Sequence, residues 1–101
     1  MIRERSIEAL CRVIAELGKV AQGSEWHLFG SVDRDEPEAA DIDLLILCTS
    51  DDQADALRRG IDADALPYPL DLSLMTFDEE KETGAVRRQR ARRIYPGTGI
   101  E

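Results

Sequence analysis

The segment Asp41-Ile42-Asp43-Leu44-Leu45-Ile46-Leu47-Cys48 decides the fold, because it places two carboxylates at the start of an apolar run typical of a buried strand. Successive side chains of a strand point to opposite faces, so Asp41 and Asp43 share one face while Ile42 and Leu44 point into the core. Two carboxylates about 6.6 to 7 Å apart along one face repel each other unless a cation lies between them or water solvates both. The segment therefore predicts a central strand over residues 41–48 with a cation site at its start.

A turn that suits an anion precedes this strand. Nine residues separate the end of the sequence His27-Leu28-Phe29-Gly30-Ser31 from Asp41. Gly30 has no Cβ and lets backbone N–H groups approach an anion, and Ser31 adds a hydroxyl. Carboxylate oxygens suit Mg²⁺, which commonly completes its shell with substrate phosphates. These residues predict a phosphate cradle that faces a metal site.

A third carboxylate lies in another predicted strand. Residues 67–75 alternate apolar and polar side chains, as a half-buried strand does, and Asp71 would share a face with Ser73. If this strand lies beside the first, Asp41, Asp43 and Asp71 converge on one side of the sheet. That arrangement is what a two-metal site for in-line phosphoryl or nucleotidyl displacement requires.

Periodicity and capping signals predict the first half of the chain around these strands. Apolar residues at three- and four-residue steps indicate a helix over about 6–22, with Ser6 as its N-cap and Gly23 as its stop. A first strand over 26–29 follows, and then a loop over 32–40 that is too polar for a core element.

Two helices are predicted in the second half. One is capped by residues within 49–52 and is ended by Gly60. The other begins at a cap formed by Thr76 or Asp78 and runs to about Arg93.

Composition bounds the size of the protein and its partners. At 101 residues and 43% hydrophobic, we expect one small domain over residues 1–101, of the α/β (α+β) class, with a small mixed sheet. The formal net charge is -8, and residues 1–84 carry 8 Lys and Arg against 20 Asp and Glu. Because so acidic a surface repels phosphate backbones, general nucleic-acid binding is not expected.

The basic residues concentrate at the C-terminal end, where residues 85–101 carry five arginines and one glutamate. These arginines would bind RNA, an acidic partner or nucleotide phosphates, or would form a solvated last helical turn. They are Arg87, Arg88, Arg90, Arg92 and Arg93.

The sequence predicts a cytoplasmic protein without a membrane contact. No signal peptide or membrane span is visible, because the apolar runs are far too short to cross a bilayer. Cys11 and Cys48 fall in an apparent helix and an apparent strand, where free thiols behave as small hydrophobes. The single histidine, His27, is expected to have a packing or surface role rather than a catalytic one.

The ordered set Phe29-Gly30-Ser31, Asp41-Ile42-Asp43-Leu44 and Asp71 resembles the signature of the minimal nucleotidyltransferases of the DNA polymerase β superfamily. That signature is a hydrophobic residue, Gly, Gly or Ser, a spacer, and then Asp-hydrophobic-Asp/Glu-hydrophobic, with a third acidic residue on the following strand. The resemblance spans most of the chain and implies a polymerase-β-type nucleotidyltransferase fold.

The resemblance implies a Mg²⁺-dependent nucleotidyltransferase. Gly30 and Ser31 would hold the triphosphate of an NTP, expected to be ATP, and Asp41 and Asp43 would ligate two Mg²⁺ ions. Asp71 would complete the metal site nearest the attacking hydroxyl and help to deprotonate it. The implied reaction transfers a nucleoside monophosphate, expected to be AMP, to a hydroxyl of a protein or other macromolecule and releases pyrophosphate.

The resemblance also implies a partner. Relatives of this minimal size commonly act as antitoxins that modify a small all-helical toxin of the HEPN type. The alternative is a catalytically weak or inactive partner-binding module that neutralises its partner by contact, as an acidic surface would allow. Nucleic-acid binding through the Arg-rich end is the weakest of the three hypotheses.

The loop after Ser31 departs from the family pattern. Relatives often carry Arg or Lys just after the Gly-Ser pair, whereas residues 32–38 hold four carboxylates and a single cation, Arg34. Four carboxylates beside a triphosphate are expected to weaken its binding unless they turn outward or Mg²⁺ screens them.

Overall fold

A four-stranded mixed sheet organises the protein in the computed structural model, which describes residues 2–96. Five α-helices and two short 3₁₀ turns, Gly18–Ala21 and Ala63–Ala65, accompany it within that range. In chain order the helices and strands are α1 (Ile2–Leu17), β1 (Glu25–Phe29), α2 (Gly30–Asp33), β2 (Ile42–Cys48), α3 (Asp51–Gly60), β3 (Leu70–Thr76), α4 (Phe77–Thr83), α5 (Ala85–Arg88) and β4 (Arg92–Tyr95).

The strands lie in the order β3-β2-β1-β4. Strand β1 pairs antiparallel with both β2 and β4, whereas β2 and β3 run parallel and are connected through α3. The predicted α+β class with a small mixed sheet is therefore confirmed. The predicted central position of the strand over 41–48 is also confirmed, although the strand begins one residue later, at Ile42.

The two faces of the sheet bury different residues of β2. Ile42, Leu44, Ile46 and Cys48 belong to the main core, which also contains residues from β1, α1 and α3. Leu45 and Leu47 are equally buried but lie on the opposite face, which Asp43 shares. Burial on both faces explains why the segment after Asp43 is continuously apolar instead of alternating.

The core residues on the neighbouring elements follow the same alternation. Trp26 and Leu28 of β1 are fully buried, as expected for the single tryptophan, and the indole Nε1 of Trp26 donates to Ser24 Oγ at 3.0 Å. From α1 the buried stripe runs at three- and four-residue steps through Ser6, Ala9, Leu10, Val13 and Ile14.

The predicted start and stop of the first helix were wrong. Helix α1 begins at Ile2, and Ser6 lies inside it, fully buried, so it cannot cap the N-terminus. A cap from elsewhere replaces it, since Asp35 Oδ1 accepts a hydrogen bond from the backbone N–H of Arg3 at 3.0 Å. The α-helix ends at Leu17, where Gly18 takes a left-handed conformation (φ +57°) before Gly23 is reached.

The predicted last helix was also wrong in its second half. The Thr76 cap is confirmed and forms a capping box with Glu79, but α4 ends at Gly84, whose φ is +64°. The short helix α5 follows, and Arg92 and Arg93 lie in strand β4 rather than on a helix. A four-residue, cationic edge strand gives little periodic signal, which is why the sequence did not reveal it.

The buried cysteine of strand β2, Cys48, is expected to be unreactive toward thiol reagents in the folded protein. Burial is the main cause that raises the pKa of the Cys48 thiol to about 11. The pKa of the half-buried Cys11 thiol is also raised, first by burial and then by the charge of Glu8. Because the thiolate is the nucleophile, we expect a thiol reagent at mildly alkaline pH to label Cys11 slowly and Cys48 only after unfolding. Intact mass after labelling, with and without denaturant, measures this. Rapid double labelling of the native protein would contradict it.

Within residues 2–96, no helix combines the length and the apolar character needed to cross a membrane.

Candidate active site

Two of the three predicted carboxylates lie side by side on neighbouring strands. The parallel register of β2 and β3 pairs Asp43 with Asp71, so the two side chains leave the same face of the sheet at the same level. Asp43 is half-buried and Asp71 is exposed. The predicted adjacency of the two strands is therefore present, and it places two carboxylates at one end of the face opposite the main core.

Gly30 lies against one member of this pair, Asp43. It has φ +78°, a left-handed conformation that favours glycine, and it opens the single-turn helix α2 directly after β1. A Cβ at this position would overlap the Asp43 carboxylate, with the Asp43 Cγ at 2.9 Å and its Cβ at 3.2 Å. The structure thus shows a close backbone approach that only glycine permits. Ser31 is the next residue of the same turn and is half-buried.

The third predicted residue, Asp41, is placed differently. It precedes β2 by one residue and is exposed, although its charge acts on Asp43. Among the residues that the structure describes, no three His, Cys, Asp or Glu side chains are grouped so that they could hold a metal ion as they stand. The structure therefore brings Asp43 and Asp71 together and leaves Asp41 at the margin of the pair.

The electrostatics of the pair favour a bound proton or cation. The pKa of Asp43 is raised, first by burial, then by the charge of Asp71 and a side-chain hydrogen bond with it, and then by the charge of Asp41. The Arg34 guanidinium acts in the opposite direction and lowers the pKa of Asp43. A proton relieves the repulsion between neighbouring carboxylates, which is why their charges raise the pKa of Asp43. A divalent cation would relieve the same repulsion, because it adds positive charge at the same place.

The raised pKa of Asp43 predicts a pH-dependent stability in metal-free protein. Between the ordinary and the raised pKa the folded state binds more protons than the unfolded state, so stability falls as pH rises through that window. We expect Asp43→Asn to raise the melting temperature by a few degrees near neutral pH, and by less near pH 3, where both forms are uncharged. Thermal unfolding with chelator present measures this. Glu38→Gln, an exposed change of equal charge, is the control, and an equal gain from both variants would contradict the prediction.

Most carboxylates of the acidic loop, residues 32–38, have partners within the protein. Asp33 Oδ1 accepts the Nε–H of Arg92 at 2.7 Å, Asp35 caps α1, and Glu36 pairs with Arg34. The loop prediction over 32–40 was wrong at its start, because Val32 and Asp33 are buried members of α2. Three of the four carboxylates thus have partners, and this was invisible in the sequence because the partners of Asp33 and Asp35 are 59 and 32 positions away.

His27 shares the carboxylate face but lies farther along β1. It is 5% exposed, and its Nε2 lies 3.1 Å from Glu25 Oε1, while its Nδ1 is buried and has no hydrogen-bond partner among residues 2–96. Beside it is a cavity of about 450 Å³ between β1 and the α4–α5 segment, with Lys81 and Arg87 among its lining residues. The packing role predicted for His27 agrees with this burial. Its pairing with Glu25, two residues away on the same strand face, is the signal that could have been found in the sequence.

The residues at the β2–β3 end fit a hydrated Mg²⁺ ion with phosphate ligands. They supply adjacent carboxylate oxygens, which Mg²⁺ prefers, and the Asp43 carboxylate occupies the position that a Cβ at Gly30 would take. Ser31 and the first amides of the α2 turn follow Gly30 along the chain, and a hydroxyl and free backbone N–H groups suit an anion. Comparisons with protein-family models, with curated proteins and with solved structures found no match for this chain, so the fit rests on these residues alone.

Proposed function

We propose that this protein is a Mg²⁺-dependent nucleotidyltransferase, with the fold of the minimal nucleotidyltransferases of the DNA polymerase β superfamily. The observation that supports this function best is the pairing of Asp43 with Asp71, with the Asp43 carboxylate lying against Gly30 where a Cβ would stand. A carboxylate pair facing a glycine turn supplies both halves of a phosphoryl-transfer site, the metal ligands and the phosphate contacts.

Each residue of the site has a stated role in this proposal. Asp41, Asp43 and Asp71 would hold two Mg²⁺ ions, which supply charge neutralisation on the transferring phosphate when bound. Asp71 is the more exposed of the pair on β2 and β3, so its carboxylate is the one open to accept the proton of an incoming hydroxyl. Gly30 and Ser31 would orient the triphosphate through backbone amides and the Ser31 hydroxyl.

The acceptor in this proposal is a hydroxyl on a macromolecule, and the leading candidate is a small helical protein of the HEPN type that this chain neutralises. The exposed acidic residues of α3 and the following connection support a basic protein partner, because they would complement it electrostatically. They include Asp51, Asp52, Asp55, Asp62 and Asp64. We place the reaction in the cytoplasm, where the two free thiols, Cys11 and Cys48, stay reduced.

Differential labelling of the nucleotide tests the reaction type. The protein, its candidate partner and Mg²⁺ are incubated with ATP labelled at the α phosphate or at the γ phosphate. Nucleotidyl transfer is expected to deposit the α label on the partner, to leave the γ label in pyrophosphate and to raise the mass of the partner by one nucleoside monophosphate. Transfer of the γ label would identify phosphoryl transfer, and neither label on the partner would refute the proposal for that acceptor.

The second candidate function is contact-only neutralisation by an inactive domain, and the same acidic surface favours it. The double variant Asp41→Asn with Asp43→Asn separates the two. A contact module keeps both the complex and the neutralisation, whereas an enzyme keeps the complex and loses neutralisation.

A further inference from the structure

Asp33 is the only Asp or Glu among the described residues that is buried, at 8% exposed. It lies on α2, two positions after Ser31 of the glycine-serine turn. Burying a carboxylate without a partner is costly, and here the Nε–H of Arg92 donates to Asp33 Oδ1 at 2.7 Å. The bond joins α2 to strand β4, 59 positions along the chain.

Helix α2 depends on such bonds for its shape. It is four residues long, and one helical turn does not hold itself together in water because the cost of nucleating a helix exceeds the gain. Besides the ion pair, contacts with the core and with α1 hold it. Val32 is fully buried in the core, and an Arg3 guanidinium N–H donates to the backbone carbonyl of Asp33 at 3.0 Å.

We propose that Arg92 is a positioning residue for the candidate active site. By holding Asp33, it fixes the turn that presents Gly30 and Ser31 to the Asp43 carboxylate. This inference rests on the proposed function. It assigns a role to Arg92, one of the five C-terminal arginines whose role the sequence left open. Because Gly30 has no free space against Asp43, a small rotation of the turn would change the distance between the turn and the Asp43 carboxylate.

Arg93 provides a matched control on the same strand. It is exposed, carries the same charge, and makes no ion pair in the part of the chain that the structure describes. Replacing either arginine by alanine changes the net charge equally, and Arg93 lies opposite His27 on the face that carries Asp43, so a larger effect of Arg92→Ala is not explained by the loss of one positive charge near the site.

Hydrogen exchange of backbone amides in the ligand-free full chain tests the positioning without any need for activity. The amides of Arg34, Asp35 and Glu36 donate to the carbonyls of Gly30, Val32 and Ser31, and they therefore report the integrity of the turn. In Arg92→Ala these amides are expected to exchange about fivefold to tenfold faster than in the wild type, the effect of one charge-assisted hydrogen bond with a partly exposed donor. Amides of β2 are expected to be unchanged, Arg93→Ala is expected to match the wild type, and Arg92→Lys is expected to restore part of the protection.

Titration with Mg²⁺-ATP then tests the link to the site. Arg92→Ala is expected to bind about fivefold to tenfold more weakly than Arg93→Ala, with Asp33→Asn equal to Arg92→Ala. Unchanged exchange at the three amides would overturn the positioning role, and so would faster exchange with unchanged nucleotide affinity. If the wild type itself binds no Mg²⁺-ATP, the proposed function fails, and the exchange result still decides whether Arg92 holds the turn. If Arg92→Ala does not fold, Arg92→Lys and Asp33→Asn carry the comparison.

Discussion

Replacing Asp43 by Asn is expected to reduce the proposed nucleotidyl transfer by at least about a hundredfold, because the proposed metal site would supply several kcal/mol of transition-state stabilisation. The asparagine side chain would keep the shape of the aspartate and lose its charge, so the fold and the complex with the partner are expected to survive. Transfer of the α label of ATP, measured at equal amounts of folded protein, gives the rate.

Glu38→Gln is the matched control for charge. Glu38 is exposed in the acidic loop, and its replacement removes one negative charge without touching the pair on β2 and β3. A transfer rate for Asp43→Asn within about threefold of this control, well inside the range that surface charge alone produces, would remove Asp43 from the chemistry.

Replacing Gly30 by Ala is expected to be the most damaging single change to stability near the site. The left-handed backbone at Gly30 costs an alanine about 1–2 kcal/mol. The new Cβ would also overlap the Asp43 carboxylate, and overpacking of this kind typically adds about 1–3 kcal/mol. We therefore expect the free energy of unfolding to fall by about 2–5 kcal/mol, measured by denaturant titration.

Gly84 separates the two contributions. Its φ is +64°, similar to that of Gly30, but a Cβ there would meet no atom of the described residues within 4 Å. Gly84→Ala therefore reports the backbone cost alone, and the excess loss in Gly30→Ala reports the contact with Asp43. Equal losses in the two variants would show that Gly30 is not pressed against the carboxylate in solution.

The elements that were predicted from the sequence are those whose signals are local. Ser50 caps α3 by accepting a hydrogen bond from the backbone N–H of Gln53 at 3.1 Å. The Thr76 cap of α4 likewise depends on a residue three positions away, Glu79. The strand around Asp43 was recognisable because a carboxylate ahead of a continuous apolar run fits a buried strand. The pairing of Asp43 with Asp71 followed from alternation along each strand, once the two strands were assumed to be neighbours.

The elements that were missed depend on distant contacts. Ser6 resembles an N-cap by type, yet it is buried, and Asp35 caps α1 from 32 positions away. Strand β4 forms because β1 offers it a free edge, which no window of residues 92–95 reveals. The carboxylates after Ser31 looked like a liability for phosphate binding, and the distant partners of Asp35 and Asp33, Arg3 and Arg92, appear only in the fold.

Calorimetric titration of ATP into the wild type, with and without Mg²⁺, tests the central claim most directly. A site in which Asp43 and Asp71 hold the metal that contacts the phosphates requires linked binding. We predict that ATP binds with Mg²⁺ and weakly or not at all without it, that Asp43→Asn loses the Mg²⁺-dependent part, and that Glu38→Gln keeps it. ATP binding that is equal with and without Mg²⁺, or equal in wild type and Asp43→Asn, would contradict the account.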